Sequence, residues 1–320
     1  MSDIRHRTIE TNGIRMHVAE AGEGPLVVLC HGFPESWYSW RHQLPALAAA
    51  GFHVVAPDQR GYGDTDAPDA LDAYTQFHLV GDIVGLVAAL GEKQAVVVGH
   101  DWGAPVAWNA ALWRPDVFRA VAALSVPCSD RAPIAPTQAM KALFGDNFFY
   151  ILYFQKQGVA EHELQHDVRT TMRRFLYGAS GNAPDRGPML VANPLPKRAF
   201  FLEQLPDCDA LPAWLTEADL DFFTNEFTKK GFRGGLNWYR NLDRTWQLAA
   251  PFQGKKIEQP ALFISGDRDL IRANPGFEAS MRAVVPNLRP VVMLPGIGHW
   301  TQQEAPDPVN RALIAFLKSL

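Results

Sequence analysis

Only three cysteines occur in 320 residues, and Cys30, Cys128 and Cys208 share no CxxC or paired spacing. That pattern offers no disulfide framework and fits a reducing, cytoplasmic compartment. No apolar run approaches the length needed to cross a bilayer. The polar start Met1-Ser2-Asp3-Ile4-Arg5-His6-Arg7 has no apolar core of the kind a signal peptide carries. A formal net charge of -4 gives no reason to expect nucleic acid or an anionic membrane as partner. There is no internal repeat, no low-complexity tract and no Gly-x-Ser-x-Gly, which disfavours a serine hydrolase. The composition that remains, 47% hydrophobic and 20% charged, is ordinary for a globular chain. Its length allows one large core carrying an insertion.

The apolar pattern suggests how that core is built. Ile4 to Ala21 reads as a hairpin turning at Asn12-Gly13. Short apolar runs follow at Leu26–Cys30, His53–Ala56, Ala95–Val98 and Ala120–Leu124, with helical patterns between them at Trp40–Ala50 and Phe77–Leu90. Such alternation predicts an α/β fold with a mostly parallel, doubly wound sheet. From about residue 130 to 245 the rhythm stops and the chain becomes aromatic and helix-prone, broken by a Gly/Pro-rich stretch at 178–196. Strand signals resume at Ala261–Ile264 and Val291–Leu294. The expected organisation is a core of residues 1–129 and 246–320, interrupted by a helical lid at 130–245.

The most informative stretch is Gly99-His100-Asp101-Trp102-Gly103, placed between the run Ala95–Val98 and a helical segment. Strand, Gly-x-nucleophile-x-Gly and helix is the layout of the nucleophile elbow of the α/β-hydrolase fold, here with Asp101 at the reactive position. A carboxylate attacks saturated carbon, displaces oxygen or halide and leaves an alkyl ester on the enzyme. That ester needs a base to activate water, and the oxyanion formed on hydrolysis needs donors. His299, on the Gly-rich loop after the last strand, is the candidate base. Asp269, past the penultimate strand, is the candidate acid that orients it; Asp267 is expected to bond its own turn, and Asp130 is the more distant alternative. His31 and His100 flank the elbow in strand-end turns where packing is the simpler role. The backbone amides of Phe33 and Trp102 are the expected oxyanion donors, and Pro34 stiffens the first of these loops and admits a cis bond. A phenol suits the protonation of an alkoxide leaving group, and residue types alone leave Tyr150, Tyr153, Tyr177 and Tyr239 open, each also able to serve as a packed aromatic.

Six segments in order carry a family resemblance: His31-Gly32-Phe33-Pro34-Glu35, Asp58-Gln59-Arg60-Gly61-Tyr62-Gly63, Gly99–Gly103, Leu152-Tyr153-Phe154-Gln155, Asn237-Trp238-Tyr239-Arg240-Asn241 and Gly298-His299-Trp300. Over nearly its whole length the chain resembles the soluble-type, bacterial-like α/β-hydrolase-fold epoxide hydrolases that lack a phosphatase domain. The resemblance implies Asp101 as nucleophile and His299 with Asp269 as water activator. It also implies Tyr153 and Tyr239 as the lid tyrosines that hold and protonate the epoxide oxygen, against Tyr150. Phe33, Trp102, Tyr153, Trp238 and Tyr239 are then the expected substrate contacts. The implied partners are a small apolar epoxide and water, with no cofactor, no metal, no nucleic acid and no membrane span, in a monomer or homodimer. A haloalkane dehalogenase shares the Asp nucleophile but has no use for paired tyrosines; a hydrolase-fold ligand-binding protein commonly lacks a catalytic residue, and none is missing here. His162-Glu163-Leu164-Gln165-His166 matches the zincin pattern HExxH, but its charged neighbours Glu161, Asp167 and Arg169 read as a solvated helix start with no third ligand. Phe144, Phe148, Phe149, Phe154 and Trp238 predict an apolar pocket in which some of the five serve only as lid core.

Overall fold

In the computed structural model of the chain, residues 4–184, 195, 196, 200–269 and 276–320 are described. A hairpin of β1 (Arg5–Thr11) and β2 (Ile14–Ala21) turns at Asn12 and Gly13, both at positive φ. It leads into β3 (Leu26–Cys30), α1 (Gln43–Ala49), β4 (His53–Pro57), α2 (Gln76–Ala89), β5 (Ala95–His100), α3 (Gly103–Trp113) and β6 (Phe118–Leu124). Helical segments then occupy the chain: α4 (Pro136–Phe144), the single turn α5 (Tyr150–Tyr153), α6 (Val159–His166), α7 (Val168–Gly178), α8 (Glu217–Lys230), α9 (Arg233–Arg240) and α10 (Leu242–Leu248). Within this region a two-residue ladder pairs β7 (Asn147–Phe148) with β8 (Leu195–Pro196). The core resumes with β9 (Ala261–Gly266), α11 (Phe277–Val284), β10 (Val292–Leu294), the turn α12 (Thr301–Glu304) and α13 (Pro306–Lys318). The expected boundary at 245 falls inside α10, and the expected loop at 178–196 lies mostly outside the described residues.

Eight strands form one sheet in the order β1-β2-β4-β3-β5-β6-β9-β10. Only the pairs β1–β2 and β2–β4 are antiparallel; the rest run parallel. The period-two geometry of a strand sends alternate side chains to opposite faces. Val28, Val55, Val97 and Val121 point to one face, under α2 and α3, and Val27, Val54, Val96 and Ala120 to the other, under α1 and α13. With both faces covered, the central strands read as the continuous apolar runs of the sequence. The C-terminal ends of β3, β5 and β9 and the loop after β10 lie along one edge, where open parallel sheets carry their sites.

Candidate active site

At the end of β5 the chain turns sharply, and Asp101 sits at φ 49°. A non-glycine residue there costs of order 1–3 kcal/mol, and the surroundings enforce it. A side chain on Gly99 would strike the backbone of Gly103, and one on Gly103 would strike the carbonyls of Cys30 and His31. One on Gly32 would occupy the space of the Asp101 carboxylate. The elbow therefore needs glycine at these three positions.

The carboxylate of Asp101 is held on both oxygens. The Phe33 amide, preceding a cis Phe33–Pro34 bond, donates to Oδ1 at 2.8 Å, and His299 Nε2 lies 3.2 Å from Oδ2. On the other side of the ring, His299 Nδ1 faces Asp269 Oδ1 and Oδ2 at 3.1 and 3.2 Å. Both ring nitrogens thus meet carboxylates, and all three residues are buried. Burial alone would lower the His299 pKa, but Asp269 and Asp101 outweigh it and raise it well above the usual imidazole range. Burial alone would likewise raise Asp101, but His299, with His100 and the Phe33 N–H, holds it below the usual carboxylate range. Asp267 bonds not its own turn but the Gly296 amide of the histidine loop, at 2.7 Å. Asp130 accepts from Arg131 N and Gly254 N, away from the histidine.

Beneath this triad lies a buried polar network. Glu35, with no solvent exposure, accepts from Gly32 N at 2.7 Å and from Gln302 Nε2 at 3.1 Å, and meets His100 Nδ1 at 2.7 Å. His100 Nε2 donates to the carbonyl of His299 at 2.7 Å. Burial would raise the Glu35 carboxyl, but the adjacent His100 holds it low. His100 is thus bonded into the support of the loop that carries His299, not merely packed. The sequence offered one sign of this, a Glu inside an otherwise apolar strand-end loop.

Above the triad a cavity of about 690 Å³ opens, lined by Asp101, Trp102, Tyr150 and Tyr239 and beyond them largely by apolar groups including Trp113, Phe144 and Phe149. Tyr153 is not among its lining. Its hydroxyl donates to Glu163 Oε2 at 2.6 Å, and Glu163 also accepts from Phe201 N and Leu202 N at 3.2 and 2.7 Å. The expectation for Tyr153 is therefore corrected: the carboxylate on α6 draws its phenol outward, while Tyr150, one turn earlier, faces the cavity. The rings of Tyr150 and Tyr239 lie 6.1 Å apart. Burial, then the charges of Asp101 and Asp269, raise the Tyr150 pKa; burial and Asp101 raise that of Tyr239, so both phenols keep their protons at neutral pH. Trp238 is a second correction. It is 1% exposed, its Nε1 donates to Arg60 O at 3.1 Å and its ring packs edge-on to Tyr62 and Trp102, so it does not line the cavity. Phe148 and Phe154 are likewise outside the lining, and Phe33 contributes its amide while its ring packs against Tyr239 and Phe154.

His162 and His166 do lie on one helix, α6, but both are exposed and the carboxylate between them is committed to Tyr153 and two amides. Among the described residues no cluster of three or more His, Cys, Asp or Glu could hold a metal ion, and no helix is long and apolar enough to cross a membrane.

Residues 25–306 match the family model of the alpha/beta hydrolase fold. Epoxide hydrolase A of Mycobacterium tuberculosis is 49% identical over 318 residues, covering 98% of this chain and 97% of that one. Epoxide hydrolase 1 of Siraitia grosvenorii is 44% identical over 99% of both. Among solved structures, epoxide hydrolase A from Mycobacterium thermoresistibile superposes with a TM-score of 0.92 at 51% identity, covering 99% of this chain and 98% of that one. An epoxide hydrolase from an endophytic Streptomyces superposes with a TM-score of 0.94 at 48% identity, covering 98% and 95%. With an acidic nucleophile elbow, a histidine between two carboxylates and two cavity phenols on the same full-length fold, the chain belongs to the α/β-hydrolase-fold epoxide hydrolases.

Proposed function

We propose that this enzyme opens small apolar epoxides through a covalent ester on Asp101, with Tyr150 and Tyr239 as the acids and His299, oriented by Asp269, as the base. The observation that carries this reading is the 3.2 Å approach of His299 Nε2 to Asp101 Oδ2 beneath two protonated phenols. Oδ2 attacks a ring carbon, the carbon–oxygen bond breaks, and a phenol gives its proton to the departing alkoxide. Asp101, now an uncharged ester, no longer holds the proton on His299, which returns a proton to the phenol. Neutral His299 then takes a proton from water, whose oxygen attacks the Asp101 carboxyl carbon. The amides of Phe33 and Trp102 receive the oxyanion, the ester bond to the diol breaks with the proton of the newly added hydroxyl passing to the departing diol oxygen, and charged Asp101 and protonated His299 are restored. Each donor of this kind is worth about 3–4 kcal/mol where deletion has been measured.

The cavity, about 690 Å³ and mostly apolar, suits an oxirane bearing an apolar substituent. The helical insertion from about 130 to the end of α10 serves as the lid that supplies both phenols. All proposed groups come from one chain, so a monomer or either half of a homodimer is complete, and three cysteines without a disulfide fit a reducing, cytoplasmic compartment.

The phenol assignment is tested by single-turnover kinetics on styrene oxide. Tyr150→Phe is expected to slow ester formation by about 10²-fold, within the usual range for a general acid, and Tyr150→Phe with Tyr239→Phe to remove it. Tyr153→Phe leaves ester formation within about twofold and lowers thermal stability by ~1–2 kcal/mol through the lost bond to Glu163. The opposite ranking of Tyr150 and Tyr153 would overturn the assignment.

A further inference from the structure

His299 directly follows Gly296-Ile297-Gly298, so the backbone leading to it has little intrinsic restraint. The restraint comes from elsewhere. One carboxylate, Glu304 at the end of α12, gathers three amides. Its Oε2 accepts from Gly298 N at 3.0 Å and from Gly181 N at 2.8 Å, and its Oε1 accepts from Trp300 N at 3.0 Å. Gly298 and Trp300 flank the catalytic histidine directly, whereas Gly181 belongs to the turn that follows α7 in the helical insertion. The same turn takes the His299 amide itself, which donates to Ala179 O at 2.8 Å. Arg268, beside Asp269, donates to Gly181 O and to Ala183 O. The approach is so close that a side chain on Gly298 would overlap the backbone of Ser180 and Gly181.

We propose that Glu304 is a positioning residue for the water-activating half of the reaction: it clamps the turn at 179–181 to the His299 loop and so fixes the imidazole over Asp101. The inference rests on the roles given above to Asp101 and His299. Its selectivity follows from connectivity. Asp101 touches His299 through Oδ2, but its position is set by β5, the elbow glycines and the Phe33 amide on Oδ1, and the two phenols stand on α5 and α9; none of these groups bonds Glu304. Loss of the clamp shifts the base and leaves nucleophile and acids in place. A glutamine at 304 has one acceptor oxygen for three amides, and its NH₂ group faces an N–H that it cannot satisfy. An aspartate is one methylene short of reaching both sides.

The test is transient kinetics of Glu304→Gln and Glu304→Asp with excess styrene oxide, following ester formation and ester hydrolysis separately and weighing the enzyme for the covalent adduct, with His299→Gln alongside. Displacement of a catalytic group by about 1 Å can cost on the order of 10²-fold. Ester hydrolysis in Glu304→Gln is therefore expected to fall by about 10- to 100-fold, ester formation to stay within about twofold, and the adduct to accumulate at full burst amplitude. Glu304→Asp is expected to show the same split more weakly. If both steps fall together, if only the burst amplitude falls, or if neither step changes, Glu304 is structural and the proposal is overturned. If instead His299→Gln fails to accumulate the ester, the underlying roles of Asp101 and His299 are at fault, whatever the Glu304 variants do.

Discussion

Asp101→Ala is expected to reduce epoxide turnover by on the order of 10⁵-fold or more, the scale on which removal of an enzyme's nucleophile is felt. The size of the loss follows from the absence of a substitute among the described residues of the cavity wall. Cys128 lines the same cavity, but burial pushes its thiol up to about 12, and a protonated thiol is a poor nucleophile. Asp130 also lines it, but its carboxylate is bonded to Arg131 N and Gly254 N and is not among the partners of His299. The residual rate would be water attack assisted by the phenols alone. Turnover within about tenfold of the parent enzyme would place the nucleophile elsewhere. Circular dichroism of the variant checks that the elbow still folds.

His299→Gln is expected to separate the two chemical steps. Glutamine can keep a hydrogen bond to Asp101 but cannot take a proton from water. Ester formation should persist while hydrolysis slows by on the order of 10⁴-fold or more, so one equivalent of alkyl-enzyme accumulates. The same logic gives a pH dependence. In the free enzyme Asp101 is held below the usual carboxylate range, so ester formation should survive well into acid. In the alkyl-enzyme Asp101 is uncharged and only Asp269 still favours protonated His299, so its pKa falls from the raised value of the free enzyme. Hydrolysis then fails as pH drops through that lower pKa, because a protonated imidazole is no base. The acid limb of ester hydrolysis should therefore lie at higher pH than that of ester formation, and rapid-quench measurements across pH read both. Coincident limbs would contradict the separate roles of Asp101 and His299.

Much of this site was legible from residue order. Strands buried on both faces must be apolar throughout, so Ala95–Val98 and Ala261–Ile264 stood out, and the residues just beyond them became candidates for the sheet's carboxyl edge. The structure brings Asp101, Asp269 and His299 together there. Orientation was less legible. Tyr150 and Tyr153 stand one turn apart on the same short helix, and their directions are set by a carboxylate on α6 and by Phe154 packing beneath. A short motif that includes Tyr153 cannot report a partner ten residues further on. Trp238 misled in the same way, because its indole N–H finds the Arg60 carbonyl, far off in sequence. The buried Glu35 and the partly buried Glu304 were missed for a related reason. Their partners, His100 for one and Gly181 for the other, arrive only when the sheet and the insertion close.

The covalent route is tested most directly by one turnover of styrene oxide with excess enzyme in oxygen-18 water, followed by mass spectrometry of the diol and of the peptide containing Asp101. The account requires unlabelled diol in that first turnover, with the heavy oxygen in the Asp101 carboxylate. Diol labelled at once, with an unlabelled Asp101 peptide, would mean that water attacks the epoxide directly, and the nucleophilic role of Asp101 would be wrong.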